Sequence, residues 1–219
     1  MTETSNAESG KNDVTIKLRM DVDYAYPSRR KSFVYTFLGL KGGKDYLKNA
    51  KIIAQMVNES NKNVKAYWFF TPTTLPDEEM LKLMRNRKHE AALHVARNPY
   101  GELEQVEKVT NQKVRYYTIH GTERLRARMI WRRKLSQSRV PIPEGFPLQN
   151  FWDFPTLRLD LEVYSKSTEE ALKIAEKGVA ERKVLHAHPE WLFTSGGSNR
   201  RGPYYEVLRT ILGVDDSGS

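Results

Sequence analysis

The chain has 219 residues, of which 39% are hydrophobic and 29% charged, and its formal net charge is +9. That length supports one domain with a full core, and the positive balance favours anionic partners such as nucleic acid, phosphorylated sugars or acidic lipid heads. The absence of cysteine excludes disulfides, thiol catalysis and thiolate metal sites, and it fits a cytoplasmic protein. No apolar run approaches the roughly 18 residues that a membrane span needs; the longest, FVYTFLGL at 33–40, is far shorter.

Residues 1–13, MTETSNAESGKND, are small and polar and read as a disordered tail, not a secretion signal. VTIKLRMDVDYAY (14–26) opens with alternating β-branched residues, a first strand. Tyr46, Leu47, Ala50, Ile53, Ala54 and Val57 recur at helical spacing and predict an amphipathic helix over 43–61. VKAYWFFTP (64–72) is a second strand, mostly apolar as a buried parallel strand is. Pro76, Asp77, Glu78 and Glu79 mark the start of a helix to about Lys88.

HEAALHVA (89–96) is the third strand, followed by a helix over 101–112. RYYTIHG (115–121) is the fourth, followed by a basic helix over 122–135. A loop, SRVPIPEGFPLQ, leads to TLRLDLEVY (156–164), whose clean alternation predicts a fifth strand. Ser167 and Glu170 form a capping box for a helix over 168–182. KVLHAHPEW carries the sixth strand, and Pro203 opens a last helix to about Leu212, before a short C-terminal tail at 214–219. Strand and helix in alternation predict a parallel α/β sheet with right-handed crossovers, and six such units fit either an open doubly wound sheet or an incomplete barrel. GLKGGK (39–44) lacks the spacing of a phosphate loop and reads as a turn.

The ionisable residues fall at one end of this map. Asp21 and Asp23 lie two apart near the end of strand one, so their side chains share a face. His94 ends strand three with Asn98 just beyond it, His120 closes strand four, and His186 and His188 close strand six, again two apart. Strand C-termini share one end of a parallel sheet, and that end hosts active sites. Any one of these histidines alone reads as an ordinary hydrogen-bonded residue; their joint placement reads as a site.

Four segments, MDVD (20–23), HEAALH (89–94) with its trailing VARN, TIHG (118–121) and HPEW (188–191), resemble motifs of the polysaccharide deacetylase (NodB-like) superfamily in order and in strand position. The resemblance spans nearly all of 14–213. It implies an irregular parallel (β/α) barrel of about six to seven units in a single domain. It implies a hydrolase that uses a divalent metal, zinc in first place, to remove an acyl group from an amino sugar or glycoconjugate. On the family's pattern Asp21 is the general base, Asp23 and His94 are metal ligands, and His188 is the acid on the leaving amine.

Asn98 stands where the family has its second metal histidine, and TIHG stands where it has an Arg-Pro motif. A third ligand then comes from Asn98 or His120, and an amide oxygen is a poorer donor to zinc than an imidazole. The expectation is a site weak for zinc. His120, His186 and Trp191 remain as substrate-binding candidates. Arg124, Arg128 and Arg132 recur every four residues, a stripe suited to a phosphorylated or lipid-linked sugar, with nucleic acid ranked below it. The alternative is a catalytically silent relative whose basic face binds an anionic partner.

Overall fold

The computed structural model describes residues 14–22, 34, 38, 40, 46–119, 140–162, 166–193 and 203–215. The N-terminal tail over 1–13 and the basic helix over 122–135 lie outside the described residues, as do Asp23, His120, Arg124 and Arg128.

The elements in chain order are β1 (Ile16–Val22), α1 (Lys48–Glu59), β2 (Val64–Phe70), α2 (Glu78–Leu83), β3 (His89–Val95), α3 (Pro99–Thr110), β4 (Tyr116–Ile119), β5 (Gln149–Asn150), a 3-10 turn (Phe151–Asp153), β6 (Thr156–Arg158), the short helix α4 (Leu159–Glu162), α5 (Thr168–Ala180), β7 (Val184–Ala187), a second 3-10 turn (Pro189–Trp191) and α6 (Pro203–Leu212). All seven strands join one parallel sheet in the order β5-β4-β3-β2-β1-β7-β6. The sheet is curled like half a barrel. β1 lies near its middle, between β2 and β7.

Period-two alternation explains how β1 is buried on both faces. Ile16, Leu18, Met20 and Val22 join the main core, with Ile53, Val57, Ala171, Val207 and Leu208 from the helices. Arg19 and Asp21 take the opposite, inner face. There a smaller core forms from Phe69, Ala92, Phe151 and Val184, with Tyr67, Tyr116 and Phe154 against it.

Two expectations need correction. The sheet is not a closed barrel: among the described residues β5 and β6 are its edges and do not pair with each other. They have only two and three residues, too short a ladder to seal the ring. The fifth strand predicted over 156–164 ends at Arg158, and the chain turns into α4. Alternation would put Leu159 and Asp160 on opposite faces, yet both are buried. The helical turn brings Asp160 against His188, the residue just beyond β7. β5 itself falls next to a loop rich in proline and glycine, and two residues carry no readable period.

Candidate functional site

The site is built on β1 and β7, which are hydrogen-bonded neighbours with Arg19 in register with His186. Arg19 and Asp21 are two residues apart and therefore side by side on the inner face. The guanidinium donates from Nε to Asp21 Oδ1 at 2.8 Å and from Nη2 to Oδ2 at 2.6 Å. Its carbon lies 3.9 Å from the ring centre of Trp152 and 5.3 Å from that of Phe69. Both members of the pair are buried. Burial pushes the Asp21 carboxyl up, but Arg19, then His186 and His94, together hold it well below the usual carboxylate range.

His186 Nε2 is 3.1 Å from Asp21 Oδ2. An ionised carboxylate can only accept, so Nε2 carries the proton. Burial lowers the His186 pKa, Asp21 opposes this, and Arg19 and His188 add to it; the net direction is down, toward the neutral ring. The second nitrogen, Nδ1, is then a bare lone pair, and it is buried without a hydrogen-bond partner. His188 follows two residues on and opens the 3-10 turn Pro189–Trp191. Its Nδ1 is 2.6 Å from Asp160 Oδ2, and Asp160 is buried at the start of α4. The other Asp160 oxygen has no hydrogen-bond partner, so the carboxylate is directed wholly at His188. The two imidazole centres are 4.9 Å apart.

Asp21, His186 and His188 each offer one ligand atom, and these atoms lie within 4.8 Å of one another. The group can hold a metal ion. Two imidazoles and one carboxylate are a donor set found at catalytic zinc sites, and the orphaned Nδ1 of His186 is a lone pair still in need of a partner. Asp160 behind His188 is the carboxylate–histidine support usual behind a metal ligand. The donors therefore fit a divalent cation. The charge of Arg19 opposes it.

Of the residues singled out in the sequence, Asp21, His186 and His188 are brought together. The sequence reading cast them as base, substrate contact and acid; the geometry brings them together as a group that could hold a metal ion. His94 is buried nearby, with Nδ1 2.6 Å from Thr118 Oγ1, and its charge is felt at Asp21. Trp191 is half-buried in the turn after His188.

Asn98, expected as a metal ligand, is exposed and caps α3, where its Oδ1 accepts from Gly101 N at 3.3 Å. Three functional side chains were not anticipated. Arg19 was within reach, since the same two-residue spacing that pairs aspartates on a strand face also pairs Arg19 with Asp21. Asp160 was hidden by the false strand, and Trp152 by its loop.

No helix among the described residues is long and apolar enough to cross a membrane. In comparisons with known proteins the chain matches no family model, no curated protein and no solved structure.

Proposed function

We propose that this chain is a metal-assisted hydrolase that removes an acyl group from the nitrogen of an amino sugar, the chemistry of the polysaccharide deacetylases it resembles. One observation carries the reading: a buried Asp–His pair, Asp21–His186, and a partly buried one, Asp160–His188, stand side by side where parallel strands end.

Asp21, His186 and His188 would hold the metal. A bound divalent cation supplies Lewis acidity that polarises the acyl carbonyl and acidifies a water. Asp160 accepts from His188 Nδ1 and so fixes the tautomer that presents Nε2 as a lone pair. Among the described residues His94, steadied by Thr118, is the imidazole left at the site to carry a proton to the leaving amine. His94 and His188 thus exchange the parts that the resemblance implied. A second reading, a silent relative that binds an anionic partner, is favoured by one contact: Arg19 already pairs with both oxygens of Asp21.

The test is acetate release from N-acetylated chitooligosaccharides by zinc-loaded protein, beside calorimetric zinc titration. Wild type should turn over substrate, His94→Gln should lose turnover while keeping zinc, and His188→Gln should lose both. Zinc binding without acetate release from this probe would favour the silent reading, and equal activity in all three proteins would remove these histidines from the chemistry.

A further inference from the structure

We propose that Arg19 is a built-in counter-ion that competes with a metal cation for Asp21, so that the zinc affinity of the Asp21, His186 and His188 group is set by how firmly the guanidinium is held. The inference rests on the metal reading above and deepens it.

Three contacts hold Arg19. The fork on Asp21 uses Nε and Nη2 at 2.8 and 2.6 Å, so both carboxylate oxygens accept from it. One face of the guanidinium lies under Trp152, with Phe69 also packed near it. The group is fully buried, so water screens little of its charge. Oδ2 also meets His186 Nε2, so three of roughly four acceptor positions on the carboxylate are used. A divalent ion reaching Asp21 therefore meets a neutralised carboxylate and a fixed positive charge beside it. The remaining Arg19 nitrogen, Nη1, is buried without a hydrogen-bond partner, so among the described residues no hydrogen bond draws the guanidinium away from Asp21.

Trp152 is the exposed part of this arrangement. It is 46% exposed, and its ring also meets His186 edge-on with centres 5.7 Å apart. Removing the indole takes one wall from the guanidinium without opening the main core. The prediction separates charge from packing, because lysine at position 19 keeps the charge and methionine keeps most of the volume.

The experiment is calorimetric titration of zinc into metal-free wild type, Arg19→Met, Arg19→Lys, Trp152→Ala and the double variant Arg19→Met/His186→Ala. Arg19→Met should bind zinc about a hundredfold more tightly than wild type, the scale expected for removing a buried like charge a few ångströms away. Arg19→Lys should stay near wild type, Trp152→Ala should gain about tenfold as the guanidinium loosens, and the double variant should fall back.

Arg19→Met leaves the buried Asp21 carboxylate with only His186 as partner and will be less stable without metal. If it does not fold, Trp152→Ala decides. No gain in whichever of Arg19→Met and Trp152→Ala can be purified, or an equal gain in Arg19→Lys, overturns the proposal. The metal reading survives that result if wild type binds zinc and the double variant Arg19→Met/His186→Ala does not, and both fall if no protein binds zinc.

Discussion

At the scale of single residues, the histidines divide by what their second nitrogen meets. His89 lies on the helix-covered side of the sheet, where Trp68 Nε1 donates to its Nδ1 at 2.9 Å and its Nε2 meets Asn58 Oδ1 at 3.0 Å. Both ring nitrogens are matched by a neutral imidazole, donor to acceptor, and protonation would turn Nδ1 against the indole N–H. Burial, with Lys65 and Lys88 adding to it, pushes its pKa down from 6.5 to about 4. The unfolded chain therefore binds a proton between about pH 6.5 and 4 that the folded chain refuses. The stabilisation is complete above pH 6.5 and is lost as the pH falls through that window, by about 3 kcal/mol. Urea denaturation across the window should show the loss in wild type and a flatter profile in His89→Gln. An unchanged slope in the variant would assign the effect to other groups. His186, by contrast, has one nitrogen on a carboxylate and one with no partner, which marks a side chain kept for something other than structure.

At the scale of elements, the turn between β3 and α3 shows why Asn98 is not where the resemblance placed it. Glu102 is buried, and its carboxylate accepts from the backbone N–H of Ala96, Arg97 and Asn98 at 2.7, 2.8 and 3.1 Å. Pro99 starts the helix and Asn98 caps it, so the segment VARN is turned into a helix entry. Asn98→Ala should cost about 1 kcal/mol as a lost cap. Glu102→Ala strips three charge-assisted bonds and should cost about 3 kcal/mol. The resemblance implies that Asn98→His would tighten zinc binding. The cap geometry predicts no gain in zinc affinity and a small loss of stability, measurable by calorimetry and thermal denaturation on one sample.

At the scale of the whole molecule, the open sheet needs something to fill its inner face, and the 3-10 turn Phe151–Asp153 does so. Phe151 is buried with its ring centre about 5 Å from those of Tyr67, Phe69, Tyr116 and Phe154, at 4.9, 5.0, 5.3 and 4.9 Å. Below it Arg115 pairs with the buried Glu90 through two hydrogen bonds of 2.8 and 2.7 Å. This plug separates the charged site from the opposite end of the sheet and places Trp152, the next residue, over Arg19. Phe151→Ala should cost about 3–5 kcal/mol. It should also release Trp152, so zinc affinity should rise together with the loss of stability. A stability loss with unchanged zinc affinity would mean that Trp152 holds its place without the plug.

What the sequence determined by itself is what depends on near neighbours. Apolar periods of 2 and 3.6 place β1 and α1, an apolar run places β2, Pro203 opens α6, the Ser167–Glu170 box starts α5, and the parallel sheet follows from strand and helix in alternation. That Asp21, His186 and His188 lie near one another was legible in part, since the C-terminal ends of parallel strands share one end of the sheet. Only the tertiary structure decided which partners those side chains take. Phe69 and Trp152 come to flank the Arg19 guanidinium because other elements pack on the inner face of β1, Asp160 reaches His188 because the chain leaves β6 after three residues, and Asn98 turns outward because Glu102 gathers the backbone of its turn. Each of these depends on groups brought together from different strands or on a turn with no period to read, and local pattern holds no information about either.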